Sequence, residues 1–225
     1  MQSEISKLLS SAINEQKISN AYIFYGAPGS GKEALALEFA KEISSTVSEK
    51  FISSDNIFFI MPAKKDFYEK LFKSKSFDSE EYKKWKKFLS NKIHNPLQKK
   101  ILSDSRNIPV EAIKNLKEKI YFKSKKRKVV LIFNSEALSH GSAESANMLL
   151  KILEEPPKNT TFILVTDLID QVKPTIKSRC QTVYVPRITS DIISKIFLSN
   201  KSFSTDFISF ISDNNLNTID SLMLW

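Results

Sequence analysis

Seven consecutive residues, Gly26-Ala27-Pro28-Gly29-Ser30-Gly31-Lys32, hold three of the four glycines in the chain and end on a lysine. A glycine, four residues, a second glycine and a lysine is the spacing at which backbone N–H groups converge on phosphate oxygens and the lysine adds a point charge. The context agrees. A strand-length apolar run, Ala21 to Tyr25, precedes the loop, and Leu35, Ala36, Phe39, Ala40 and Ile43 follow on one helical face, so the helix start adds its dipole to an anion site. A glycine turn that merely packs is the plain alternative, and the placement between strand and helix speaks against it.

The next position departs from the pattern. Glu33 stands where a Ser or Thr hydroxyl would ligate magnesium. A carboxylate there gains about 0.3 to 1 kcal/mol from the helix dipole. Against a phosphate charge about 4 Å away it loses about 4 kcal/mol at an effective dielectric near 20. A bound magnesium would offset part of this, since carboxylates also ligate it. ATP or ADP binding is therefore expected to be weakened rather than abolished. Hydrolysis further needs acids at the end of a later strand, to hold magnesium and orient water. The strand from Lys128 to Phe133 ends on Phe133 and Asn134 instead. Glu136 is an alternative acid through a loop shift, set against its simpler reading as a solvated loop carboxylate.

These residues need a sheet to hold them. Five short, nearly continuous apolar runs (Ala21 to Tyr25, Ile57 to Met61, Val129 to Phe133, Phe162 to Thr166, Thr182 to Val185) suit strands buried on both faces, with helices between most of them. The fold class is α/β, a doubly wound parallel five-stranded sheet with ligands beyond the strand C-termini. One helix is expected to start at Pro109 and bury Val110, Ile113, Leu116 and Ile120. Another carries Ala146, Leu149, Leu150 and Leu153 and stops before Pro156-Pro157. Residues 1–186 form this domain. The segment 187–225 reads as a small helical lid whose clearest apolar face is Ile192, Ile193, Ile196 and Phe197.

With 225 residues, 41% hydrophobic and 26% charged, the chain can bury a full core. One cysteine, Cys180, excludes a disulfide framework and any multi-cysteine zinc module, and fits a reducing cytosol. With only two histidines, no metal site is expected, and no run is long enough to span a membrane. The net charge of +9 is uneven: residues 61–130 hold 21 Lys and Arg against 8 Asp and Glu. Such a segment can attract nucleic acid through counterion release, or can simply be a lysine-rich solvated face, since 30 of the 34 basic residues are Lys. Within it lies an insertion, about 64–105, carrying Phe67, Tyr68, Phe72, Phe77, Tyr82, Trp85 and Phe88. Tyr82, Trp85 and Leu89 can share a helical face amid Lys83, Lys84, Lys86 and Lys87. Stacking on bases is the functional reading, and stapling a subdomain to its parent is the commoner one. Cys180 as a nucleophile and Lys123 to Lys128 as a targeting signal lack a supporting constellation. The basic run reads more simply as the solvated entrance to its strand.

Three further stretches carry a resemblance: Asn147 to Pro157 (NMLLKILEEPP), Phe162 to Thr166, and Pro174 to Gln181 (PTIKSRCQ). With Ala21 to Lys32 and Ile108 to Leu116, they closely resemble the bacterial DNA polymerase III clamp-loader family over most of residues 1–190. The resemblance implies an AAA+ module with a helical lid, and a part in loading a sliding clamp onto primed DNA in the cytoplasm, beside gamma or tau and delta subunits. The missing acids look like the non-hydrolysing delta-prime subunits of that family, with no ATPase of their own, rather than the hydrolysing gamma and tau subunits. Ser178-Arg179-Cys180 matches the family's motif whose arginine reaches a neighbour's ATP, and Thr166 matches its sensor position. Arginine suits that task because its planar fork clamps phosphate oxygens. Two alternatives remain: an active ATPase using Glu33 and Glu136 as metal ligands, and a nucleic-acid-binding module in 61–130. The chain departs from the family in having no four-cysteine zinc module, so zinc is not expected. Its loop at Ser139 to Ser142 is two or three residues longer, which leaves the matching of Phe133 and Asn134 open to a similar shift. No collar domain has a counterpart before Trp225.

Overall fold

The computed structural model describes residues 2–46, 51–52, 54–73, 79–94, 101–140 and 143–187. Five parallel strands, β1 (Ala21–Tyr25), β2 (Ile57–Ile60), β3 (Lys128–Phe133), β4 (Thr160–Thr166) and β5 (Gln181–Tyr184), lie in the order β2-β3-β4-β1-β5. Every residue of β3 and β4 is buried, as their unbroken apolar runs require of strands covered on both faces. β4 begins two residues before its apolar run because Thr160 and Thr161, β-branched and buried, continue the pairing opposite Lys128 and Val129.

Seven α-helices are described: α1 (Gln2–Asn14), α2 (Lys32–Ser44), α3 (Lys65–Lys73), α4 (Glu80–His94), α5 (Val110–Ile120), α6 (Glu144–Glu154) and α7 (Pro174–Lys177). On α5 the buried residues are Ala112, Ile113, Leu116 and Ile120, while Val110 is half-buried. Pro109 stands just before the helix, with ψ 152, rather than opening it. On α6, Ile152 is buried in place of Leu150. The expected lid lies outside the described residues apart from Arg187.

The basic run is not simply a solvated entrance. Lys128 is buried, and its ammonium donates to the carbonyls of Ile120 (2.7 Å) and Phe122, closing the C-terminal end of α5 where the helix dipole favours a cation. Burial lowers its pKa from the ordinary lysine value. Of the run's basic residues, Lys123, Lys125 and Lys126 are exposed and Arg127 is half-buried.

The insertion packs on the β2 side of the sheet. Trp85 of α4 lies 5.8 Å from Phe67 and 6.4 Å from Tyr68 of α3, ring to ring, and stacks on Phe88. Fully buried Tyr68 donates its hydroxyl to the Met61 carbonyl (2.8 Å) and accepts from the Met61 N–H (3.1 Å), tying α3 to the end of β2; burial pushes its phenol pKa up. The aromatics staple the subdomain, and Lys83, Lys84, Lys86 and Lys87 are exposed. Phe77 and the Phe72 side chain lie outside the described residues.

Candidate functional site

Strand register brings the chemistry to one edge of the sheet. Tyr25 pairs with Thr166 and Phe133 with Val165, so the glycine loop, the β3 tip and the β4 tip are neighbours at the strand C-termini. This is where order 2-3-4-1-5 reverses direction around β1, the usual crevice for a ligand in such sheets. Glycine is needed in the loop for two reasons. Gly29 and Gly31 have φ of 72° and 79°, and Gly31 sits at the entry to α2. At Gly26 a Cβ would lie 2.1 Å from the Val185 carbonyl oxygen, close to where the Val185 N–H bonds the Tyr25 carbonyl at 2.7 Å. Gly26→Ala must push the β5 exit away from β1, and overpacking of this kind is destabilising by about 1 to 3 kcal/mol. Thermal denaturation should show a lower midpoint for this variant, and an unchanged midpoint would mean that the β5 exit yields freely.

Lys32, buried at the helix start, donates to the Ala27 carbonyl (2.9 Å) and forms an ion pair with Asp167, the residue after Thr166. The loop lysine thus already has a carboxylate. Glu33 is paired too. Its Oε2 lies 2.5 Å from Nζ of Lys92, whose side chain is only 3% exposed and comes from the far end of α4, 59 residues along the chain. The same ammonium lies 4.4 Å from the centre of the Phe133 ring. The repulsion expected between Glu33 and a phosphate is thus countered by the Lys92 ammonium.

Asn134 at the β3 tip adopts a left-handed conformation, φ 51°, which Asn tolerates better than most residues. Glu136, expected to be a solvated loop carboxylate, is buried at 7% exposure. It accepts a 2.6 Å hydrogen bond from the Thr166 hydroxyl and a longer one, 3.4 Å, from the Asn134 amide. The Thr166 hydroxyl in turn accepts from the Leu168 N–H at 3.0 Å. Thr166 therefore ties the tips of β3 and β4 together through Glu136. Beside these tips a cleft of about 220 Å³ is lined by Lys92, Phe133, Asn134, Glu136, Leu102 and Leu168.

Arg179 sits apart from this group. Its guanidinium donates to Glu154 Oε1 at the end of α6 and to the Thr175 carbonyl, both at 2.9 Å, and the side chain is 35% exposed. Burial pushes the Cys180 thiol up to about 12, which leaves almost no thiolate for nucleophilic chemistry at neutral pH.

Two site residues escaped the sequence reading. Asp167 had a signal, since a carboxylate directly after a strand end beside the loop is well placed to meet its lysine. Lys92 had none. Among the described residues, no helix is long and apolar enough to cross a membrane.

Residues 1–189 match the family described as DNA polymerase III, delta subunit. Among curated proteins, the chain is 29% identical to the DNA polymerase III subunit tau of Bacillus subtilis over 85% of its own length and 29% of that protein's. It is 29% identical to the delta-prime subunit of the same organism, over 81% of this chain and 47% of that one. The chain thus spans less than half the length of these relatives. A solved DNA polymerase III gamma subunit-related protein from Thermotoga maritima shares the fold, with TM-score 0.52 and 19% identity over 82% of this chain and 47% of that one.

Proposed function

The chain belongs to the DNA polymerase III clamp-loader family, and from that premise we propose that it is a non-hydrolysing, delta-prime-like subunit that supports its neighbours' ATP chemistry. It would act in the cytoplasm beside gamma or tau and delta subunits, helping to place a sliding clamp on primed DNA. The observation that carries this reading is the metal side of the loop. Phosphoryl transfer needs a divalent ion held by a hydroxyl or carboxylate and by an acidic strand tip. Here the strand tip is Phe133, and Glu33, the carboxylate that follows the loop lysine in the chain, is paired with Lys92. The remaining nearby acids are engaged as well, Asp167 with Lys32 and Glu136 with Thr166.

Arg179 has the opposite character. It is partly exposed, and an ion pair of this exposure is worth about 0 to 1 kcal/mol, so the guanidinium is easily surrendered to a stronger anion. A triphosphate on an adjoining subunit is such an anion, and donation of Arg179 to it completes the role.

The test begins with the chain alone. Incubated with ATP and magnesium, it should release phosphate no faster than its Lys32→Ala variant. Sustained turnover that disappears with Lys32→Ala would overturn the non-hydrolysing reading in favour of a gamma- or tau-like ATPase.

A further inference from the structure

Glu33 and Phe133 occupy the two positions that flank a magnesium ion in metal-using phosphate loops, one after the loop lysine and one at the acidic strand tip. Magnesium demands nearly octahedral oxygen ligands at short range. These residues do not fit it. Phe133 offers no oxygen, and Glu33 is already bound. What both touch is a single ammonium: Lys92 Nζ lies 2.5 Å from Glu33 Oε2 and 4.4 Å from the Phe133 ring centre. Its side chain is 3% exposed, so it has little water to retreat into, and the aromatic face of Phe133 favours a cation. The cation is delivered by α4, which the Trp85 cluster staples to α3, itself tied to Met61 at the end of β2.

We infer that Lys92 is a resident cation in the place of magnesium, and that the glycine loop takes a nucleoside di- or triphosphate without metal. A divalent ion entering there meets the Lys92 ammonium and finds Glu33 already paired with it. Lys92 supplies one charge where magnesium would supply two, and Lys32 must first release Asp167, so the affinity is modest. This inference rests on the loop being a nucleotide cradle kept by a subunit that does not hydrolyse.

The experiment is calorimetric titration of the 225-residue chain with ATP, in millimolar magnesium and again in excess chelator. The dissociation constants should agree within about threefold. Lys92→Arg, which keeps the charge, should behave similarly. Lys92→Met should bind at least tenfold more weakly in chelator and regain affinity when magnesium is added, because Glu33 is then free to ligate it. Three outcomes would each overturn the inference: tenfold or greater strengthening of wild-type binding by magnesium, no ATP binding in either buffer, or Lys92→Met binding indistinguishable from wild type in both. Absent binding would leave the trans role of Arg179 standing. Failure of that role, seen as unchanged turnover by an assembly carrying Arg179→Ala, would leave the metal-free loop standing.

Discussion

In a reconstituted assembly with hydrolysing partner subunits, Arg179→Ala is expected to lower ATP turnover at the adjoining site by about three orders of magnitude. The size follows from what an arginine supplied in trans contributes to phosphoryl transfer, about 10³ to 10⁵ in rate. Folding should be almost untouched. The substitution removes an exposed pair with Glu154 and a hydrogen bond to the Thr175 carbonyl, and surface pairs of this kind contribute about 0 to 1 kcal/mol. Arg179→Lys should not rescue turnover, because it keeps the charge and loses the planar fork that grips two oxygens at once. The readout is single-turnover hydrolysis in an assembly whose composition has been verified. Unchanged rates there would reject the trans role.

The second large effect is on stability. Lys92→Met removes the ammonium from a pair whose two side chains are only 3% and 16% exposed. Breaking such a pair from one side is destabilising by about 3 to 5 kcal/mol, since the remaining charge is left without a partner. Glu33 keeps some contact with water, so about 3 kcal/mol is expected, a fall in melting temperature of about 6 to 12 °C for a domain of this size. The double variant Glu33→Gln, Lys92→Met should recover most of the loss, because replacing both charges by neutral groups of similar shape is nearly neutral. Additive losses in the double-mutant cycle would mean that the two residues do not depend on each other.

Together these expectations give the insertion a purpose that its composition conceals. The lysine-rich segment looks like a solvated or nucleic-acid-facing appendage, and much of α4 does present exposed lysines. Its last turn, however, brings Lys92 to Glu33, the residue that follows the glycine loop's lysine.

What the amino-acid sequence determined by itself was everything with a short period or a fixed local spacing. The five strands follow from runs of apolar residues that only a doubly covered parallel sheet can bury. The phosphate loop follows from glycines at Gly26, Gly29 and Gly31 ahead of Lys32, where backbone approach and positive φ leave no other residue suitable. Phe133 at the end of β3 could likewise be placed by counting along its run, whereas Arg179 was singled out only by the resemblance of its Ser-Arg-Cys motif to the family's. Tertiary structure alone decided which charges meet. Lys92 is one of 30 lysines and has no local feature that separates it from its exposed neighbours. Glu136 reads as a loop acid until the β3–β4 register puts it on Thr166, and Lys128 reads as part of a basic run until the end of α5 receives it. The reason is physical: hydrophobic periodicity is written into consecutive residues, whereas an ion pair between positions 33 and 92 exists only after the chain between them has folded back and excluded water from both.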